Sequence, residues 1–358
     1  MRVLALTRYA RRGASSRLRF EQFVPGLATL GIDVTVAPLL DDRFLTRRYA
    51  GRRVDVVALT RAYASRATRL FRREPWDLLW LEKEAFPWLP DLVERTLFRH
   101  DVPCVVDFDD AWFHRYDIHR FRTVRAALGG KLDAVMRRAS VVCAGNDYIA
   151  DHARRAGASR VEIVPTVVDV ERYVVASRRS PGPFTIGWIG TPLTAGYLDA
   201  VAPALRAVVG ASSLRLCAVG AAPFRLDGVE VQTPPWSEDS EAAVISQFDV
   251  GVMPLPDSPW ERGKCGYKLI QYMASGKPVI ASPVGVNKTL VREGENGFLA
   301  GDLSSWTTAL VALRDDPERC SSMGAAGRRL VARSYDLRVE LPRLAEILRA
   351  AGARRGSR

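Results

Sequence analysis

Short apolar runs alternate with helix-patterned stretches along this chain, and the alternation stops once and then restarts. Residues 3–6, 33–36, 77–81, 102–106, 140–144 and 161–165 read as strands, apolar on both faces and separated by helix-length segments. Strands of that kind must be covered on both sides, which a parallel sheet flanked by helices achieves. Residues 176–183, Ala-Ser-Arg-Arg-Ser-Pro-Gly-Pro, have the composition of a linker. Beyond them strands are expected at 185–190, 214–219, 248–254 and 278–282. Helices are expected near 197–209, 267–275, 303–315, 317–333 and 338–351. The reading is two similar α/β domains: residues 1–175, a linker at 176–183, residues 184–335, and a C-terminal helix with a basic tail at 336–358 that can return to the first domain.

A chain of 358 residues has room for two such cores, and 47% hydrophobic with 26% charged residues suits a soluble globular protein rather than a disordered one. No apolar run reaches the ~18 residues of a membrane span. Cys104, Cys143, Cys217, Cys265 and Cys320 are scattered with no metal-type spacing, so free thiols in the cytoplasm are expected. The net charge is +12, carried almost entirely by arginine. The lysines are Lys83, Lys131, Lys264, Lys268, Lys277 and Lys288, and the last four fall between 264 and 288. Residues 43–73 hold ten arginines against the single acid Asp55. That stretch reads as a nucleic-acid surface, a membrane surface or a plain solvated face. It lacks any RNA-binding signature, so no nucleic-acid partner is expected.

Ligands of open parallel sheets bind beyond the carboxyl ends of the strands. The residues at those ends are Gly13, Ser15, Ser16 and Arg17; Asp107, Asp109 and Asp110; Asn146; Gly190 and Thr191; and the segment from Glu261 to Gln271. In that last segment Leu269, Ile270, Met273 and Ala274 form an apolar helix face, and Lys268, Gln271 and Tyr272 another face. Gly263 and Gly266 admit close backbone approach. The helix start at Gly266 and Tyr267 offers free N–H groups and a positive dipole end, to which Lys264 and Lys268 add charge. A diphosphate needs that combination, although a solvated lysine pair beside a helix start has the same local pattern. The Asp107-Phe108-Asp109-Asp110 run has D-x-D metal spacing, but a sugar-hydroxyl or helix-capping role is preferred and no metal is expected. His114 and His119 follow this acidic loop and are read as surface or helix-end residues or as aids to an acceptor hydroxyl.

Residues 249–300 resemble the donor-binding half of family 4 glycosyltransferases, which have the GT-B fold of two Rossmann-like domains facing across a cleft. The resemblance rests on 268–282, KLIQYMASGKPVIAS, then Gly285, then 293–299, EGENGFL. Weaker likenesses at 145–149, 163–169 and 249–254 extend it over most of the chain. The departures are specific. Gly263 and Gln271 stand where the family has the two glutamates of its E-x7-E pattern. Thr191 and Gly196 stand where it clamps diphosphate with Arg and Lys, so Lys264 and Lys268 would carry that charge. Asp109 stands in a slot that often holds His, and the usual glycine pair of the first loop is reduced to Gly13-Ala14-Ser15-Ser16.

The resemblance implies a hexosyltransferase-type enzyme that moves a sugar from a nucleotide sugar to an acceptor hydroxyl, with retention and without metal or cofactor. Asp109, Lys264 and Lys268 are the expected catalytic residues. Gly190, Thr191, Gly266, Tyr267, Gln271 and Glu293 would bind the donor. Gly13, Ser15, Ser16, Arg17, Asp107, Asp110 and Asn146 would line the acceptor side. A lipid-linked acceptor and a peripheral contact with the anionic inner membrane face would suit the arginine-rich stretch. The rival readings are a GT-B sugar-nucleotide epimerase or hydrolase, which needs no acceptor, and a basic nucleic-acid-binding protein.

Overall fold

The computed structural model describes residues 1–72, 74–99, 101–175, 182–209 and 214–353. Most of the expected linker and the basic tail lie outside these residues. The chain forms two compact units. The first comprises Met1–Thr166, Gly263–Cys265 and Glu340–Arg358, and the second Val167–Arg262 and Gly266–Val339. The sequence-based division at 175 thus stands later than the one drawn by contacts.

In the first unit β1 (Arg2–Tyr9), β2 (Asp33–Leu40), β3 (Leu78–Glu82), β4 (Cys104–Phe108), β5 (Val141–Ala144) and β6 (Val161–Ile163) form one sheet in the order β2-β1-β3-β4-β5-β6. Every pairing is parallel. All residues of β3 and β5 are buried, as the unbroken apolar runs require. The single helix expected after the first loop is broken into Ala14–Arg19, a 3-10 turn at Glu21–Phe23 and Val24–Thr29. Pro25 explains the restart, because proline fits only the first turn of a helix. Gly31 ends it with φ +74°, the left-handed position expected of a helix terminator. The helix Leu337–Ala353 supplies Glu340 onward to this unit, where Arg349 Nη2 donates to Leu30 O at 2.5 Å.

The second unit repeats the plan with β7 (Phe184–Ile189), β8 (Leu214–Val219), β9 (Glu230–Gln232), β10 (Val250–Met253), β11 (Val279–Ala281) and β12 (Gly297–Leu299). Their order is β12-β11-β10-β7-β8-β9, again parallel. Alternate residues feed two cores: Phe184, Ile186 and Trp188 pack on one side, Ile189 on the other. The three-residue edge strands β9 and β12 escaped the sequence reading, being too short to show a period.

The helix Tyr267–Ala274 departs from its expected two faces, since Leu269 through Ala274 are all buried. Tyr272 is covered because Gly251 of β10 leaves room for its ring, and its hydroxyl accepts from Ile189 N at 2.9 Å. A Cβ at Gly251 would lie 2.1 Å from that ring. Gly251→Ala is therefore expected to displace Tyr272 and to destabilise the second unit by about 1–3 kcal/mol, read as a lower urea midpoint. A wild-type midpoint would remove the close approach from this account.

Candidate functional site

β1 and β3 are neighbours although the chain visits β2 between them, and β7 and β10 are neighbours although it visits β8 and β9. Such reversals of strand order open a crevice at the carboxyl ends, where α/β proteins bind ligands. Each unit has its own cluster at that place.

In the first unit three carboxylates leave β4, and each meets a different cation. Arg19 donates Nε and Nη2 to Asp107 Oδ1 and Oδ2 at 2.8 and 3.0 Å. Lys83 Nζ lies 2.6 Å from Asp109 Oδ1 and donates to Ser15 Oγ at 3.1 Å. Lys264 Nζ lies 3.3 Å from Asp110 Oδ1. Lys264, expected beside Lys268, thus belongs to the first unit. Asn146 caps the helix Asp147–Arg155 by accepting from Ile149 N, and its amide donates to Gly263 O at 2.9 Å and Lys264 O at 3.1 Å. The Cys265 thiol donates to Asp109 O. Among the described residues no group of three His, Cys, Asp or Glu side chains is arranged to hold a metal ion.

The cluster extends beneath β3. Glu82 Oε2 accepts from Ser16 Oγ at 2.6 Å and Arg8 N at 2.8 Å. Glu84 accepts from Lys131 Nζ at 2.7 Å, Tyr116 OH at 2.8 Å and Trp112 Nε1 at 3.0 Å. Gly13 opens the helix Ala14–Arg19 against Tyr9, where a Cβ would sit 2.4 Å from Tyr9 Cβ. Arg17 Nη1 donates to Arg11 O. His114 is engaged by Asp117 and by Tyr148 OH, and His119 Nδ1 accepts from Phe121 N.

Burial would raise the Asp109 carboxyl, but Lys83 overcomes it and holds the group below the usual carboxylate range. Burial pushes Asp107 up to about 6 despite Arg19. It also raises Asp110 against the pull of Lys264. Of the three, Asp109 alone is held below the usual carboxylate range. Lys83 has φ 61°, a left-handed backbone that costs a non-glycine residue about 1 kcal/mol or more and is retained where surroundings fix it, often at functional sites.

The sequence reading passed over Glu82, Lys83 and Glu84. Three consecutive charged residues at the end of an apolar run, the first of them closing β3, were the available signal, because side chains at a buried strand end are rarely charged without partners.

In the second unit Gly190 follows β7 and lies against Trp188, whose ring would be 2.2 Å from any Cβ there. Lys268 Nζ stands 4.5 Å from the Trp188 ring centroid. Gly266 starts the helix at φ +66°. Gly190, Trp188 and Lys268 therefore form one assembly beside the start of the helix Tyr267–Ala274. Thr191 is held in its turn by Thr194 Oγ1, 3.1 Å from Thr191 N. Gln271 is buried, and its amide donates to Tyr173 OH at 3.2 Å. Tyr173 in turn donates to Glu241. Glu293 is exposed and accepts from Leu299 N at 2.7 Å. A helix start, a lysine and a glycine turn at a strand end can receive a phosphorylated ligand.

Known proteins place this arrangement in a class. Sucrose-phosphate synthase from Thermosynechococcus elongatus superposes with a TM-score of 0.75 at 16% identity, covering 99% of each chain. Anabaena HepE in complex with UDP-glucose superposes with a TM-score of 0.70 at 18% identity, covering 98% of this chain and 100% of that one. The fold is GT-B, with two Rossmann-type units. Residues 183–316 match the family model Glycosyl transferases group 1. D-inositol 3-phosphate glycosyltransferase of Thermobispora bispora is 31% identical over 116 residues, 32% of this chain and 26% of that protein. The match thus spans about a quarter of that relative.

Removing Lys83 leaves Asp109 as a buried, uncompensated charge, so Lys83→Ala and Lys83→Gly should each cost about 3–5 kcal/mol in urea melts. The glycine variant should recover about 1 kcal/mol of this, because it accepts the left-handed backbone without strain. Asp109 stabilises the fold above its ordinary pKa and ceases to as pH falls through its depressed one. The deficit of both variants should therefore shrink below about pH 4. A deficit that grows in acid would mean that Lys83 does not stabilise an ionised Asp109.

Proposed function

We propose that the chain transfers a sugar from a nucleotide-sugar donor, bound by the second unit, to a hydroxyl of an acceptor bound by the first. The observation that carries this reading is the Gly190–Trp188–Lys268 assembly at the start of the helix Tyr267–Ala274, inside the matched region. The diphosphate would rest on the helix start, with Lys268 exchanging the Trp188 ring for a phosphate oxygen. Charge develops on the leaving diphosphate in the transition state, and prearranged donors aimed at that charge lower the barrier. A sugar is transferred with retention, by front-side displacement in which the departing diphosphate helps take the acceptor proton. No metal is required: Lys268 and the helix start meet the diphosphate charge. Asp109 accepts a hydrogen bond from a sugar or acceptor hydroxyl, held ionised by Lys83. Lys264, with Asp110, completes the acceptor side. Gln271 would support the nucleoside end through Tyr173, and Glu293 would contact the nucleoside.

The test is binding of nucleoside diphosphates and nucleotide sugars by thermal shift, since a bound donor raises the melting temperature by mass action. Lys268→Ala should keep the wild-type melting temperature of the free protein. It should lower turnover by roughly 2–4 kcal/mol of barrier. Turnover that EDTA abolishes and Mg²⁺ restores would refute the metal-free mechanism. Wild-type turnover by Lys268→Ala would refute the diphosphate assignment.

We also propose a peripheral contact with anionic membrane. Arg43, Arg47, Arg48, Arg52 and Arg53 are exposed on and beyond the helix Asp42–Tyr49, near exposed Val54, Val56 and Val57. Arg66 does not contribute: it is buried, and donates to Thr7 O, Ala37 O and Ala85 O. Arg73 lies outside the described residues. No helix among those residues is long and apolar enough to cross a membrane. Each cation near an anionic surface adds about 1 kcal/mol, screened by salt. The chain should sediment with phosphatidylserine vesicles at low salt and leave them at high salt. Replacing Arg47, Arg48, Arg52 and Arg53 with Gln should weaken this and leave donor affinity unchanged. Failure to sediment at low salt would make the acceptor a soluble one.

A further inference from the structure

Two arginines of the first unit stand over one indole without a full set of partners. Arg8 Cζ lies 4.3 Å, and Arg115 Cζ 4.6 Å, from the Trp112 ring centroid. Arg115 also lies 5.6 Å from the Trp88 ring. Lys83 Nζ is 5.1 Å from the Trp112 ring, so a third cation shares it. Arg8 is 7% exposed, and its buried Nε has no hydrogen-bond partner. Arg8 does reach Glu84, at 3.4 Å, but that carboxylate already accepts from Lys131, Tyr116 and Trp112. Among the described residues the Arg115 guanidinium makes no hydrogen bond or ion pair, only the two ring contacts. Burial, then the nearby Arg8 and Arg48, make its charged form costlier than usual.

Lys83 is matched by Asp109, but Arg8 has only a share of Glu84 and the half-buried Arg115 has no carboxylate, so the pair lacks full counter-charge and cation–π attraction supplies only part of it. Arg8 lies near the carboxyl end of β1, where the sheet order reverses and ligands enter. A planar guanidinium pair matches the two oxygens of a phosphate or carboxylate. Trp88, at the rim, is held at φ 64° and is 42% exposed, so the cluster opens to solvent.

We propose that Arg8 and Arg115, stacked on Trp112, bind an oxyanion of the phosphomonoester class, and that the acceptor of the proposed transfer carries it. The second clause rests on the transferase reading; the first does not.

The experiment uses the full chain. Glycerol 1-phosphate and inorganic phosphate are titrated calorimetrically as soluble probes, and vesicles of phosphatidic acid in phosphatidylcholine are sedimented as the lipid-borne form. Wild type should bind at least one form. Arg115→Gln should weaken that binding by about tenfold or more, as for a lost charge-assisted hydrogen bond. Arg115→Lys should retain part of it, which separates loss of the ligand contact from loss of folding. Nucleoside diphosphate affinity should be the same in all three proteins. Binding of neither form by wild type, or equal binding by Arg115→Gln, overturns the oxyanion site. A matching loss of nucleoside diphosphate affinity assigns the anion to the donor and overturns it also. Were wild type to bind glycerol 1-phosphate but no nucleoside diphosphate, the transferase reading would fail and the oxyanion site would stand.

Discussion

Asp107, Asp109 and Asp110 leave one strand within four residues, and buried carboxylates so close together repel strongly unless each has its own cation. The chain meets this constraint from three directions. Arg19 arrives from the first helix, Lys83 from the end of the adjacent strand, and Lys264 from a segment late in the sequence. Each pairing fixes a loop that would otherwise be free: Ser15 and Ser16 follow Lys83 and Glu82, and Asn146 follows the backbone at Gly263. The local geometry of the first unit's strand ends follows from matching these charges one by one.

The second unit solves a different problem with uncharged material. Its helix Tyr267–Ala274 is drawn into the core by Tyr272, so its start is set relative to β7 by one buried hydroxyl on Ile189 N. That rigid seat leaves only Tyr267 and Lys268 half-exposed on the helix. A single lysine beside a helix start gives strength without many side chains to order on binding.

The strands that form unbroken apolar runs were legible, because burial on both faces leaves a clear imprint; β9 (Glu-Val-Gln) and β12 (Gly-Phe-Leu), short edge strands without such a run, left none. The Lys cluster near 264 was also legible, but not its partition. Lys264 and Lys268 are four residues apart and read as a pair of charges beside one helix start. The helix begins only after Gly266, so Lys264 precedes it and turns to Asp110. Gln271 read as a donor-facing amide because helical periodicity does not reveal a buried tyrosine from a distant segment, here Tyr173. Glu82, Lys83 and Glu84 were missed for a related reason: the run of charge at a strand end was visible, but each is satisfied by a residue remote in sequence.

The first unit takes its last helix from Glu340 onward and Asp110's partner from Lys264, while all of the second unit lies between residues 167 and 339. During synthesis all six strands of the first unit's sheet leave the ribosome first, but the unit lacks Lys264 and its last helix until much later residues emerge. The second unit has its whole sequence available earlier. The part of the protein that is made first is therefore the part that finishes folding last, and until then it must keep an unpaired Asp110 and an uncovered apolar surface from aggregating.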